Sequence, residues 1–304
     1  MISAFAALFL LISGGLLVRV AVGVERADAM RKAINDLVYV LLLPLLAFSV
    51  VSPIRPDAGI LAIPVVPGIT VTVCAALAWL IYSRRTTLSR GTTGSLILAA
   101  AWGNVTYLGY PFIKFVIGDH VQHIPLLYDM TGNTPMLLTL GIAICMFYGS
   151  ANKKFTPSAA FISIIRTPAF IGVMLGLLAA ATGLELPELV TVPIALAGEA
   201  VAPLMLITIG LGLRPPTTRQ LRTLGPAIII KLIISPALGF VLISFLGFST
   251  DVSAAMLFES AMPVMMLPLI FAEHYGLDEE IMAQAIVIST IGSLVTLPVV
   301  RWLM

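Results

Sequence analysis

Charged residues are scarce in this chain, and they collect in short stretches between apolar runs long enough to cross a bilayer. Only 11% of its 304 residues are Asp, Glu, Lys or Arg, and 59% are hydrophobic. A soluble domain carries roughly 25% charged residues. Mean hydropathy is +1.06, and so few polar side chains could not cover a water-facing surface. A spanning helix takes about 20 apolar residues, which with short loops leaves room for ten. The runs predict helices at 2–23, 33–51, 59–82, 93–117, 123–148, 159–182, 187–212, 224–247, 252–273 and 280–302. Met1 to Gly23 has no basic stretch ahead of its apolar run, so it reads as a first span rather than a cleaved signal.

The net charge of +2 is spread along the chain, which leaves no nucleic-acid footprint. Cys74 and Cys145 fall inside apolar runs and read as small buried hydrophobes. Most Lys and Arg residues fall in alternate loops: Arg19, Arg26, Arg31 and Lys32; Arg84, Arg85 and Arg90; Lys153 and Lys154; Arg214, Arg219 and Arg222. Arg166 and Lys231 are assigned to helices near the same side, and Arg55, Lys114 and Arg301 to the other. Basic residues mark the cytoplasmic face, so both termini are predicted outside, in a multi-pass protein of a bacterial inner membrane.

Two of the apolar runs are interrupted. The first contains Gly103-Asn104-Val105-Thr106-Tyr107-Leu108-Gly109-Tyr110-Pro111, and the second Glu259-Ser260-Ala261-Met262-Pro263-Val264-Met265-Met266-Leu267-Pro268. Proline removes a donor and clashes with the carbonyl four residues upstream. In lipid, loosened backbone is tolerated only inside protein or beside a water-filled cavity. Interrupted helices at corresponding points of two halves point to the binding site of a secondary transporter. The halves do echo each other: Gly15-Leu16-Leu17 with Gly176-Leu177-Leu178, Pro44-Leu45 with Pro203-Leu204, and Pro111 with Pro268, at offsets of 161, 159 and 157 residues. Five helices per half is an odd number, so the second half enters from the opposite side. The predicted fold is therefore an all-α, 5+5 inverted repeat of residues 1–150 and 151–304, with broken crossover helices 4 and 9.

On these residues the chain resembles the auxin efflux carrier family, which includes the plant PIN auxin exporters and bacterial organic-anion permeases. Helix 2 has Leu43-Pro44-Leu45-Leu46-Ala47-Phe48, helix 4 has Asn104, Gly109 and Pro111, and helix 7 has Ala202-Pro203-Leu204 before Gly210-Leu211-Gly212. The last two helices carry Ala261-Met262-Pro263, Phe271-Ala272-Glu273-His274-Tyr275-Gly276, Ser289-Thr290 and Leu297-Pro298. The PIN sequence Pro-Gln-Gly-Ile-Val-Pro is replaced by Pro263-Val264-Met265-Met266-Leu267-Pro268, so auxin itself is not implied. The resemblance implies a crossover fold like that of the bile acid–sodium symporters. Helices 1, 2, 6 and 7 would form a scaffold, often dimeric, and helices 3–5 and 8–10 an elevator-type transport domain.

Candidate substrate contacts are Asn104, Tyr107, Gly109, Pro111, Pro263 and Pro268. The Asn104 amide could hold a carboxylate, aided by the positive end of a half-helix, or could satisfy carbonyls freed by the kink. The tyrosines Tyr107 and Tyr110 line the cavity or simply pack. Glu259, four residues before Pro263, is an ionisable residue within a span and thus a functional candidate. It would bind Na⁺ or carry a proton, or else cap the broken helix. Its surroundings resemble the stretch where the bile acid symporters use a Glu for sodium. Thr131, Asn133 and Thr134 offer hard oxygen ligands near Asp129, or form a polar turn. Glu199, four residues before Pro203, would pair with a basic group or serve a proton path. Lys231 could attract a carboxylate but is assigned to snorkelling towards the interface. His120 and His123 lack a third ligand for a metal.

No nucleophile–base pair or phosphate loop is visible, which argues against a membrane-embedded enzyme such as an intramembrane protease. The repeat argues against a passive channel. The expected function is a secondary carrier of a small organic anion, a carboxylate, by alternating access. It needs no cofactor beyond Na⁺ or H⁺ as a coupling ion. The alternative is a sodium-coupled bile-acid-like symporter.

Overall fold

The computed structural model describes residues 2–54, 58–150, 157–184, 186–213 and 220–303. Arg55, Lys153, Lys154, Arg214 and Arg219, part of the basic pattern, lie outside them. The described residues form helices and no strand: α1 (Ile2–Val22), α2 (Val24–Val51), α3 (Gly59–Tyr82), α4 (Arg90–Ala101), α5 (105–116), α6 (Asp119–Tyr148), α7 (Pro157–Ile165), α8 (Pro168–Thr182), α9 (Glu188–Gly212), α10 (Leu221–Leu246), α11 (Thr250–Ala261), α12 (Leu267–Tyr275) and α13 (Glu279–Leu303). Among them 6 are long and apolar enough to cross a membrane: α2, α3, α6, α9, α10 and α13. Leu8–Val22 and Pro168–Thr182 are shorter apolar helices.

Span 1 is the continuous helix α1, and expected spans 4, 6 and 9 are broken. Span 4 is split into α4 and α5 around Gly103, and span 9 into α11 and α12 around Pro263 to Met266. Span 6 is interrupted at Arg166 and Thr167, ahead of Pro168. The first break falls upstream of Pro111, which instead stands in the first turn of the helix Tyr110–Val116. Span 2 begins earlier than the apolar run suggests, because the charged stretch Val24–Leu37 is helical and continuous with it.

Proline shapes the unbroken helices through wide π-turns. Segments Val38–Leu42, Val105–Gly109, Asp129–Asn133 and Ile230–Ile234 are each followed two residues later by Pro44, Pro111, Pro135 or Pro236. A π-turn shifts the hydrogen-bond register, so the missing proline N–H is absorbed without breaking the rod.

The chain divides into two compact units. The first comprises Met1–Leu61, Thr106–Met130 and Ile165–Leu213. Within it α1 packs along the end of α9, and the second half of α2 along α8. The α1–α9 contact depends on small residues: a Cβ at Gly15 would overlap the Ile207 carbonyl, and one at Gly210 the Ile12 carbonyl. Close backbone approach through glycine is how helices pack in lipid, where no hydrophobic force drives them together. Arg19, read as a loop cation, is internal to this unit. It is 7% exposed, pairs with Asp28 at 2.8 Å and donates to the Leu211 carbonyl at 2.5 Å.

The second unit comprises Ala62–Val105, Thr131–Ile164 and Arg214–Met304. Its core is built around α4, whose residues Thr92 to Ala101 are all buried, and α11 is likewise buried from Ala254 to Ala261. A helix apolar on every side belongs in an interior, and the Ala, Gly and Ser content of both lets neighbours approach. Ser89 caps α4 by accepting the Thr92 N–H at 3.0 Å. Cys74 and Cys145 are buried free thiols, as expected. Large apolar side chains cover the outside of both units, with Leu189 87% and Phe245 84% exposed. That distribution suits lipid rather than water.

Candidate crossover site

The two broken spans meet in the second unit. Their unwound segments run antiparallel, with Gly103 bridged to Val264. Asn104 N–H donates to the Pro263 carbonyl at 2.7 Å, and Met265 N–H to the Trp102 carbonyl at 2.9 Å. Each break thus supplies the hydrogen-bond partners that the other lost. The remaining Val264 N–H donates to Ser289 Oγ of α13 at 3.0 Å. Pro263 and Asn104 are buried, Asn104 with 4% exposure.

Asn133 ties α6 to this crossing. Its main-chain carbonyl accepts the Trp102 indole N–H at 3.1 Å, and its side-chain amide donates to the Gly103 carbonyl at 3.3 Å. These bonds give Asn133 a positioning role at the crossing. Thr134 is buried and Thr131 half-buried beside it in sequence. Pro268 begins α12, on the far side of the second break.

Glu259 is 1% exposed and lies in the last turn of α11. Its main-chain carbonyl accepts the Met262 N–H at 3.3 Å, so the helix end tightens by one residue where Pro263 removes the usual donor. Beside it, Ser260 presents its carbonyl to Lys231.

Lys231 is the residue that the sequence reading misplaced. It does not snorkel: it is 2% exposed, and Nζ donates to Ser235 Oγ at 3.0 Å and to the Ser260 carbonyl at 3.2 Å. Gly103 leaves room for it, since a Cβ there would lie 3.2 Å from Nζ. The signal was present, because a Lys within an apolar run is a functional candidate on its own. Serines Ser235, Ser260 and Ser289 carried no such signal.

The other candidates belong to the first unit. Pro111 is buried and Tyr107 half-buried in α5. Gly109 closes the π-turn that precedes Tyr110, and the Tyr110 hydroxyl donates to Gln122 Oε1 at 3.3 Å. Thr106 donates to the Asp129 carboxylate, and both are buried. Glu199 is exposed at a turn within α9 of the first unit, whereas Glu259, Asn133 and Thr134 belong to the second. No group of three or more His, Cys, Asp or Glu able to hold a metal occurs among the described residues.

The second unit thus holds a buried crossing of two broken helices, with the Lys231 ammonium at its edge and Glu259 in the adjoining helix end. A family profile described as "Membrane transport protein" matches residues 1–301, and the chain belongs to that family, the auxin efflux carrier family. It is 30% identical over 272 residues to an uncharacterized transporter of Methanothermobacter thermautotrophicus, covering 87% of this chain and 86% of that protein. It is 25% identical over 280 residues to an uncharacterized transporter of Methanocaldococcus jannaschii, covering 90% of this chain and 89% of the other.

Proposed function

We propose that this protein is a secondary carrier for a small organic anion, a carboxylate, working by alternating access. The observation that carries the reading is the crossing itself. Asn104 and the paired segments around Gly103 and Val264 lie beside the Lys231 ammonium, in a fold unit of a transporter-family protein. An anion at this crossing would be met by the Asn104 amide and by the N-terminal N–H groups of the half-helix that follows. Glu259 would couple transport to an ion gradient, as a Na⁺ ligand or a proton carrier.

Several features support a ten-span inverted repeat. The helices α4 and α11 begin at residues 90 and 250 and end at 101 and 261, a constant spacing of 160, and each is followed by a second half-helix. Both crossover breaks fall in the second compact unit, as expected for a transport domain, whereas Thr106–Met130, from spans 4 and 5, fall in the first unit with spans 1, 2 and 7. We take the exposed apolar face of α9, with Leu189 and Leu196, as the scaffold surface that pairs two copies in the bilayer. The positive-inside pattern gives a cell-membrane orientation with both termini outside.

The test is uptake of radiolabelled mono- and dicarboxylates by liposomes containing the purified protein. Saturable uptake that falls at least tenfold in Asn104→Ala, with that variant folded normally, is the expected result. Wild-type rates in Asn104→Ala would remove that residue from the site, and no uptake of any carboxylate would overturn the anion assignment.

A further inference from the structure

In carriers with broken helices, unwound carbonyls and the C-terminal ends of half-helices coordinate the coupling cation. The corresponding end here is that of α11, and its Ser260 carbonyl is already taken. The Ser260 carbonyl, among the last four of that helix and so without an intrahelical donor, accepts from Lys231 Nζ at 3.2 Å. Ser235 Oγ accepts from Nζ at 3.0 Å and donates to the same Ser260 carbonyl at 2.7 Å. Ser260 is 1% and Ser235 1% exposed, so the arrangement is built into the interior.

The residues present do not fit a sodium ion. A metal cation bound to the Ser260 carbonyl would stand within contact distance of the ammonium, and like charges repel strongly where water is excluded. The ammonium is itself a compact cation with three donors, and the negative end of the α11 dipole favours a positive charge there. The cluster is confined to the second half of the chain: 160 residues before Glu259 and Ser260 stand Ala99 and Ala100.

We propose that Lys231 is a built-in cation of the crossover, whose ammonium stands where Na⁺ would bind at the end of α11, so that the carrier works without sodium. This rests on the carrier reading above and narrows its coupling ion.

The experiment is thermal unfolding of the purified full-length protein in detergent, titrated with NaCl, KCl or choline chloride at constant ionic strength. The wild-type midpoint is expected to be the same in all three. Lys231→Ala is expected to unfold several degrees lower in choline chloride and to recover saturably with NaCl, because an ion that binds only the native state stabilises by mass action. Lys231→Met, which fills the space with an uncharged stem, is expected to unfold lower and not recover. A saturable, Na⁺-specific rise in the wild type would overturn the proposal, and so would a folded Lys231→Ala that ignores every cation. Should Lys231→Ala fail to fold, the wild-type titration decides alone. None of these readouts depends on uptake, so failure here leaves the anion-carrier reading to its own test.

Discussion

Gly103 and Val264 face each other as an antiparallel bridge although 160 residues of chain separate their two breaks, and the bonds beside them close both gaps in the helices. Unwound backbone inside a bilayer must find its partners within the protein. Here each unwound segment is the partner of the other, which makes the crossing a structural joint as well as a candidate binding site.

Gly103 is where that joint has least room. A Cβ there would lie 3.2 Å from Lys231 Nζ, 3.3 Å from its Cε and 3.4 Å from the Met262 carbonyl oxygen. Gly103→Val is expected to lower stability by about 1–3 kcal/mol, the usual cost of overpacking. Thermal unfolding in detergent measures it. A variant as stable as the wild type would mean that the Lys231 stem moves aside freely.

Ser289 satisfies the Val264 N–H from outside the two crossing segments. Removing one partner of a buried hydrogen bond costs about 1–3 kcal/mol, so Ser289→Ala should unfold earlier by that amount. Ser289→Thr, which keeps the hydroxyl, should recover most of it. Equal losses in both variants would instead point to packing at this position.

Tyr82 inserts its hydroxyl into α10. It donates to the Thr223 carbonyl at 2.8 Å and accepts from the Ala227 N–H at 2.9 Å, replacing the helical bond that those two groups would share. Pro226 sits between them in sequence and opens the turn. Tyr82→Phe should cost about 1–3 kcal/mol by stranding both groups. Amide hydrogen exchange at Ala227 should rise in parallel; unchanged exchange would mean that the helix closes on itself.

The sequence carried the 6 long apolar helices because they follow from the length of apolar runs against a fixed bilayer thickness. It also carried the second break, because Pro263 cannot continue a helix. Asn104 and Glu259 stood out as polar residues in apolar runs, and both are buried in the second unit. The first break was less legible. Pro111 pointed to it, but a π-turn absorbs that proline, and the chain unwinds upstream at Gly103, where a close neighbour from α10 needs the space.

Asn133 and Lys231 mark the division between what the chain alone determined and what the tertiary structure decided. Sequence made Asn133 a polar residue before a proline, and only the fold brought it under Gly103 and Trp102, where it braces the crossing. Lys231 carries a long, flexible stem that its place in the sequence puts within reach of an interface, for which snorkelling costs least. Its direction was decided by Ser235 one turn along α10, and by a carbonyl at the end of α11 that has no helical donor left to accept. Length and hydropathy are local properties and fix where a helix runs. The partner of a buried charge comes from a distant part of the chain, so only packing can choose it.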